Sequence, residues 1–349
     1  MARLSLQSIK RENAQLVLEA IARKKHITKL EISEETGLSL MTVGKVVSML
    51  GAGGIIMHGK SSVGKAGRRA EVFRLRHDWL IPVFDLSSHI FKFYISDLEG
   101  NVLDKVEYQC STDRLLIGED YITFLKKTLE MLRLRYRNKK ALGVGVAISG
   151  VYDPETDSVR SSMVPEFDAL KIMTNIRKIF KQSNIVIENA NALCARGLIC
   201  ALPDYKDRCI SCLTLGDTIE CTTVDHGHFC TGGSNRAGRL GVLPYAPGYT
   251  YINFLHRTPN TSDIIEPVMD LLRFVAVAYD PDTIYLCSSK YGFTPAKTDM
   301  LRNRMKTALL WPKSPPELVY VHSTELESIS GIISRIISNW LDDLLAENE

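Results

Sequence analysis

Residues 81–108, IPVFDLSSHIFKFYISDLEGNVLDKVEY, alternate apolar and polar side chains through two turn signals, Ser87-Ser88 and Glu99-Gly100-Asn101. That pattern spells a three-stranded β-meander. A helical stretch, YITFLKKTLEMLRLRYR, follows, and then a buried strand, ALGVGVAISG, ending in a turn at Val151-Tyr152-Asp153. Strands that feed helices, repeated in two halves of the chain, require an α/β body of two lobes. A length of 349 residues leaves room for a further unit in front of it.

The eighty residues before the meander follow different rules. Ile9, Leu16, Val17, Ala20 and Ile21 recur at helical spacing between Ser8 and about Ala22. Thr28 followed by Glu31 reads as a capping box for a second helix, KLEISEET, that stops at Gly37. In GLSLMTVGKVVSML, Ser39 caps a third helix whose inner face is Val43, Val46, Val47 and Leu50. Ser39, Leu40, Met41, Thr42, Gly44 and Lys45 stay outside or at its exposed end. Two helices joined by a short glycine-containing turn describe a helix-turn-helix. Ile55–Met57 and Glu71–Leu75 then read as paired strands around a loop carrying Lys60, Lys65, Arg68 and Arg69, which is the layout of a wing.

Charge supports that reading. Residues 1–78 hold 14 Lys/Arg against 7 Asp/Glu, a net +7, while the rest of the chain holds 29 against 33, a net −4. A basic module on a mildly acidic body expects a polyanion at the N-terminal end. The expected reader of base edges is the exposed face of the third helix, with the wing cations on phosphates.

Other classes are disfavoured. No apolar run approaches the roughly 20 residues needed to span a bilayer, and the N-terminus lacks a signal-peptide core, so a cytoplasmic protein without membrane contact is expected. Eight cysteines without paired spacing read as buried thiols of a reducing compartment. Gly54-Ile-Ile-Met-His-Gly59-Lys60-Ser61 matches the letters of a phosphate loop. Its β-branched middle suits a strand, and no helix follows it, so nucleotide binding there is not expected. Cys221, His226, His228 and Cys230 crowd together, but a hairpin turn at Asp225–His228 would split them, and no metal is expected. Cys209 and Cys212 lie on an apolar strand and read as packing thiols.

The body, together with GKAGRRAEVFRL before it, resembles the ROK family of sugar kinases and sugar-responsive repressors. GVGVAISGVYD fits the family's G-x-G-x-x-x-P-G-x-V-D, with Ser149 in place of the proline. LTLGDTIECTTVDHGHFCTGGSNRAGRLG follows its second phosphate loop and sugar segment, and VMDLLRFVAVAYDPDTIYLCSS a later nucleotide-side stretch. The resemblance covers nearly the whole chain. It implies a winged helix-turn-helix over 1–78 and a two-lobed actin-like, hexokinase-type body, with lobe 1 at 79–187, lobe 2 at 188–325 and a C-terminal helix, 326–346, packed on lobe 1.

The chemistry that the family carries is altered. Its first phosphate loop, D-x-G-G-T, is Asp85-Leu86-Ser87-Ser88-His89 here, and close phosphate approach needs residues without Cβ. Its second, G-T-G-I-G, is Gly216-Asp217-Thr218-Ile219-Glu220, placing two carboxylates where an anion should sit. Ser288 and Ser289 replace a later glycine pair. In Ile187-Glu188-Asn189-Ala190-Asn191-Ala192 the family's base, an aspartate, is Asn189 or is deleted, depending on register, and an amide is no general base. A-G-E-x-G-H becomes Ala237-Gly238-Arg239-Leu240-Gly241-Val242, and no cysteine falls between Cys230 and Cys287 to build the family's zinc site.

The resemblance therefore implies a regulator rather than an enzyme: a DNA-binding homodimer or dimer of dimers, a repressor of carbohydrate genes, with no cofactor. Glu188, Asn189, Asn191 and Arg239 are the residues expected to meet a sugar or sugar-phosphate effector. A DNA-binding dimer whose body is only a scaffold is the alternative, with an active sugar kinase further off.

Overall fold

The computed structural model describes residues 6–60, 71–160, 164–181, 184–216, 218–233, 237–258, 264–288, 290–308, 314–322 and 325–347. Helix α1 (Leu6–Lys24) buries Ala14, Val17, Leu18 and Ile21, while Ile9 stays exposed and Leu16 half-buried. After β1 (Ile27–Thr28), helix α2 (Lys29–Thr36) starts on the expected capping box: Glu31 N donates to Thr28 Oγ1, and Thr28 N donates to Glu31 Oε2. Gly37 ends it at φ 71°, in the left-handed region. Ser39 caps α3 (Leu40–Ala52), which buries Val43, Val46, Val47 and Leu50. Strands β2 (Ile56–Lys60) and β3 (Glu71–Leu75) pair antiparallel, and the unforeseen β1 adds to the other edge of β3 through Ile27 and Phe73. The phosphate-loop look-alike at Gly54 is therefore the start of a strand.

The body repeats one topology. Strands β4 (Trp79–Leu86), β5 (Ile90–Asp97) and β6 (Val102–Gln109) form the meander, followed by α4 (Ile117–Arg135). Next come β7 (Lys140–Ala141), β8 (Val144–Ile148), the hairpin of β9 (Val151–Asp153) and β10 (Ser158–Arg160), α5 (Ile172–Ile179) and β11 (Ile185–Asn189). The first sheet runs β11-β8-β4-β5-β6, parallel on one side of β4 and antiparallel on the other. Because β11 extends to Asn189, both Glu188 and Asn189 belong to this sheet.

Helix α6 (Ala190–Cys200) leads into the second meander, β12 (Cys209–Leu215), β13 (Ile219–Asp225) and β14 (His228–Phe229). A hairpin of β15 (Pro244–Ala246) and β16 (Tyr249–Thr250) and helix α7 (Tyr251–Arg257) follow. Then α8 (Ile265–Tyr279), β17 (Thr283–Ser288), α9 (Pro295–Ala308), β18 (Glu317–His322) and α10 (Glu325–Glu347) complete the chain. The second sheet runs β14-β13-β12-β17-β18, the same order and strand directions as the first.

Helices α6 and α10 thus follow the last strand of each half, and they cross at two glycines. A Cβ on Gly331 would stand 1.9 Å from Leu193 O, and one on Gly197 2.0 Å from Glu327 O, so only glycine admits this approach. Past the crossing, α10 buries Ile332, Ile333 and Ile336, each worth about 1.5–3 kcal/mol relative to exposure. It then reaches the N-terminal unit. Trp340 meets Trp79 edge-on, the side chains of Trp340 and Leu344 close over Gly53 at the end of α3, and Arg11 of α1 pairs with Asp342 and donates to Ser338. One apolar cluster runs from Val17 and Val47 through Trp79 to Leu193 and Ile336, so the N-terminal unit is packed on the body through α10.

Candidate nucleic-acid interface and inter-lobe cleft

The N-terminal end of α3 is unusual for what it leaves outside. Leu40 is 54% and Met41 73% exposed, on the turn before the buried Val43. Ser39 Oγ accepts from Thr42 N at 3.2 Å and lies 3.0 Å from the Thr42 hydroxyl, fixing the first turn. Lys45 is exposed one turn further on. Ser39, Leu40, Met41, Thr42 and Lys45 thus lie at the capped N-terminal end of α3, with Thr42 half-buried and the others exposed. Lys60 closes β2, but its side chain, and all of Lys65, Arg68 and Arg69, lie outside the described residues.

In the body, the expected ligand residues fall on two sides of the cleft between the lobes. A cavity of about 440 Å³ is lined by Glu188, Asn189 and Arg239, together with Tyr152, Glu220 and Arg196. Asn189 also borders a larger cavity of about 770 Å³, which Asn191 lines with Asp85, Ser87, Gly216, Thr218 and Lys290.

The two asparagines spend their amides on the fold. Asn189 Oδ1 accepts from Asn191 N at 2.8 Å and Ala192 N at 3.4 Å, capping α6, while its Nδ2 donates to Gly150 O at 3.1 Å. Asn191 Nδ2 donates to both Thr218 O and Thr218 Oγ1, at 2.8 and 2.7 Å. Together they stitch the end of the first sheet to the loop after β12 in the second lobe. The Asn189 side chain is thus neutral, only 8% exposed and hydrogen-bonded through both its oxygen and its nitrogen.

The two stretches likened to phosphate loops make contacts of their own. Asp85 is bound locally, accepting from Ser87 N at 3.0 Å and Ser87 Oγ at 2.6 Å. His89 pairs with Glu166. Asp217 lies outside the described residues. Glu220, expected to repel phosphate, sits on β13 and turns to the other cavity, beside Arg239. The register explains this: Glu220 and Thr218 are two residues apart, but the chain leaves its loop and enters β13 at Ile219. Burial pushes the Glu220 carboxyl up to about 7, against the opposing pull of Arg239.

The cysteine and histidine cluster separates as its turn predicts. Cys221 is buried on β13, whereas His226 lies in the exposed turn at φ 46° beside Asp225. Among the described residues no group of three or more metal-type side chains comes together. Cys212 faces not Cys209 but Cys287, Sγ to Sγ 3.2 Å, deep in the core. No described helix is long and apolar enough to cross a membrane.

Sequence reasoning missed Arg196. It lies on α6, 9% exposed, with its guanidinium 3.8 Å from the Phe229 ring centroid. A charged residue in the apolar stretch ANALCARGLIC is the signal that could have found it.

No protein-family model and no curated protein sequence matches this chain. Solved structures do. ROK-family proteins define the class of fold: a ROK-family protein from Streptococcus pneumoniae TIGR4 in complex with sucrose matches at TM-score 0.55 and 15% identity, over 76% of this chain and 98% of its own. A ROK hexokinase from Thermus thermophilus matches at TM-score 0.53 and 15% identity, over 73% and 97%. The match extends to nearly the whole chain for a ROK-family transcriptional regulator described as a homologue of the E. coli Mlc protein. Its TM-score is 0.65 at 15% identity, over 97% of this chain and 99% of the other. The chain shares the fold of these structures, an N-terminal helical unit with a three-stranded sheet followed by a two-lobed hexokinase-type body.

Proposed function

We propose that the protein is a DNA-binding transcriptional regulator whose kinase-like body senses a small ligand or assembles subunits without phosphorylating sugar. The single observation that carries this is the N-terminal end of α3. It is a rigid, capped first turn that exposes Leu40 and Met41 beside Thr42 and Lys45 in a unit of net charge +7. The body supports the same reading from the other side, since the asparagine at the base position is held by α6 and by Gly150. A neutral amide with both ends engaged takes no proton from a sugar hydroxyl.

In this reading Ser39, Leu40, Met41, Thr42 and Lys45 meet base edges, and Lys60, Lys65, Arg68 and Arg69 meet phosphates. Glu188 and Arg239 would face an effector in the smaller cavity, Asn191 in the larger, and Asn189 borders both. A homodimer or dimer of dimers acting on a palindromic operator of carbohydrate genes, as a cytoplasmic repressor, completes it. Full-length protein should bind duplex DNA with an affinity that falls steeply with salt, and should transfer no phosphate from ATP to any sugar in a panel. Failure to bind DNA at low salt sinks the regulator; sugar phosphorylation abolished by Asn189→Ala sinks the loss of catalysis. The engagement of Asn189 and Asn191 also favours a second reading, a body that is scaffold alone, which a sugar-dependent rise in melting temperature would exclude.

A further inference from the structure

The described residues contain a buried charge that the fold does not balance. Nε of Arg196 is inaccessible to solvent and has no hydrogen-bond partner, and no described carboxylate lies within ion-pair distance of its guanidinium. Burial pushes this group below its usual value, with Glu188 the chief acid opposing that shift. Glu188 must also serve Arg335, 3.9 Å away on α10. One half-buried carboxylate therefore faces two guanidiniums. Leaving a buried cation unpaired costs several kcal/mol in general, and a ligand that arrives with the missing charge recovers it.

The position of the pair matters as much as its charge. Arg196, Phe229, Thr231 and Arg335 line both the cavity of about 440 Å³ between the lobes and a second cavity of about 590 Å³ against α1. The Gly197–Gly331 crossing brings the two arginines together from different helices. Phe229 forms a face on which the Arg196 guanidinium stacks, leaving its terminal Nη donors, not the enclosed Nε, for an oxyanion.

We infer that Arg196 and Arg335 form a binding site for the oxyanion group, phosphoryl or carboxylate, of a small ligand, in the wall shared by the inter-lobe cavity and the cavity against α1. The ligand's regulatory role rests on reading the body as an effector sensor; the binding site itself does not. Arg335 lies on the same stripe of α10 as Ser338 and Asp342, which hold Arg11 of α1. An anion drawn onto Arg335 acts on the helix that carries the DNA-binding unit.

Thermal unfolding of the full chain tests this with inorganic phosphate and with acetate, each against chloride at matched ionic strength. Phosphate should raise the melting temperature of the native chain, and its Kd should weaken at least about tenfold in Arg196→Met and in Arg335→Gln. Arg196→Met, which removes the unpaired charge and keeps the volume, should melt no lower than the native chain without anion. A rise with acetate and none with phosphate assigns a carboxylate ligand to the same site. If neither anion stabilises the native chain, or both variants respond as it does, the site does not exist. Should Arg196→Met fail to fold, Arg335→Gln and Arg196→Lys, which keeps the charge but loses the fork, decide between the same two outcomes. DNA binding measured in parallel separates the two claims. An anion site in a chain that ignores DNA refutes the regulator alone, and DNA binding without anion stabilisation refutes the site alone.

Discussion

The first turn of α3 and the first turn of α6 are built alike and used in opposite ways. Each begins on a polar cap, Ser39 or Asn189, whose oxygen accepts from backbone amides of the turn. At α3 the cap's neighbours, Leu40 and Met41, point outward with no apolar partner among the described core clusters. At α6 the neighbours turn inward, and Asn189 and Asn191 hold Gly150 and Thr218 of facing segments. Exposed Leu40 and Met41 beside a capped turn leave apolar surface open for a partner. Amides satisfied by Gly150 and Thr218 tie the end of the first sheet to the second lobe. The proposed reading puts the working face of the molecule at its N-terminal unit.

The comparison breaks most severely where α6 meets α10. Gly331→Leu drives a side chain into Leu193 O and should cost about 3 kcal/mol or more by denaturant unfolding, whereas Gly44→Ala on α3, with open space around it, should be neutral or mildly stabilising. Next comes Glu220. Its folded-state carboxyl lies near 7, above the ordinary value of 4.5, so the folded chain binds more protons between those values. Stability is then greatest below about pH 4.5 from this group and falls as pH rises towards 7, by on the order of 3 kcal/mol at most. Glu220→Gln should flatten that fall, as read from unfolding free energies across pH. Asn189→Ala removes the α6 cap and orphans Gly150 O, and should cost about 1–2 kcal/mol. Met41→Ala should cost less than about 0.5 kcal/mol and act on DNA affinity instead. A comparably small loss, under about 1 kcal/mol, is expected at Arg11→Ala, whose pair with Asp342 is partly exposed.

Much of this fold was legible because its rules are local. The capping box at Thr28, the stop at Gly37, the inner face of α3 and the meander turn at Gly100 each depend on residues within four positions of one another. The inward set of α1 was read less well, since tertiary packing against α10 and the three-stranded sheet, not the helical period alone, chooses Ala14 and Leu18 over Ile9. β1 was missed because two residues carry no period, and its existence depends on β3 forty-five residues away. In the cleft, the identities of Asn189 and Arg239 were readable, but which wall they face was not. Glu220 turned away from the expected loop because the strand starts one residue before it. Arg196 needed the Gly197–Gly331 crossing, a contact across more than a hundred residues, before its missing partner could be noticed.

The most direct test of the account is selection of duplex DNA from a random pool by the full-length protein, repeated with Met41→Ala, Thr42→Ala and Lys45→Ala. The account predicts enrichment of a two-fold symmetric sequence by the native chain, and a changed or lost preference in the α3 variants. No enrichment at low salt, or the same enriched sequence from every variant, would contradict it.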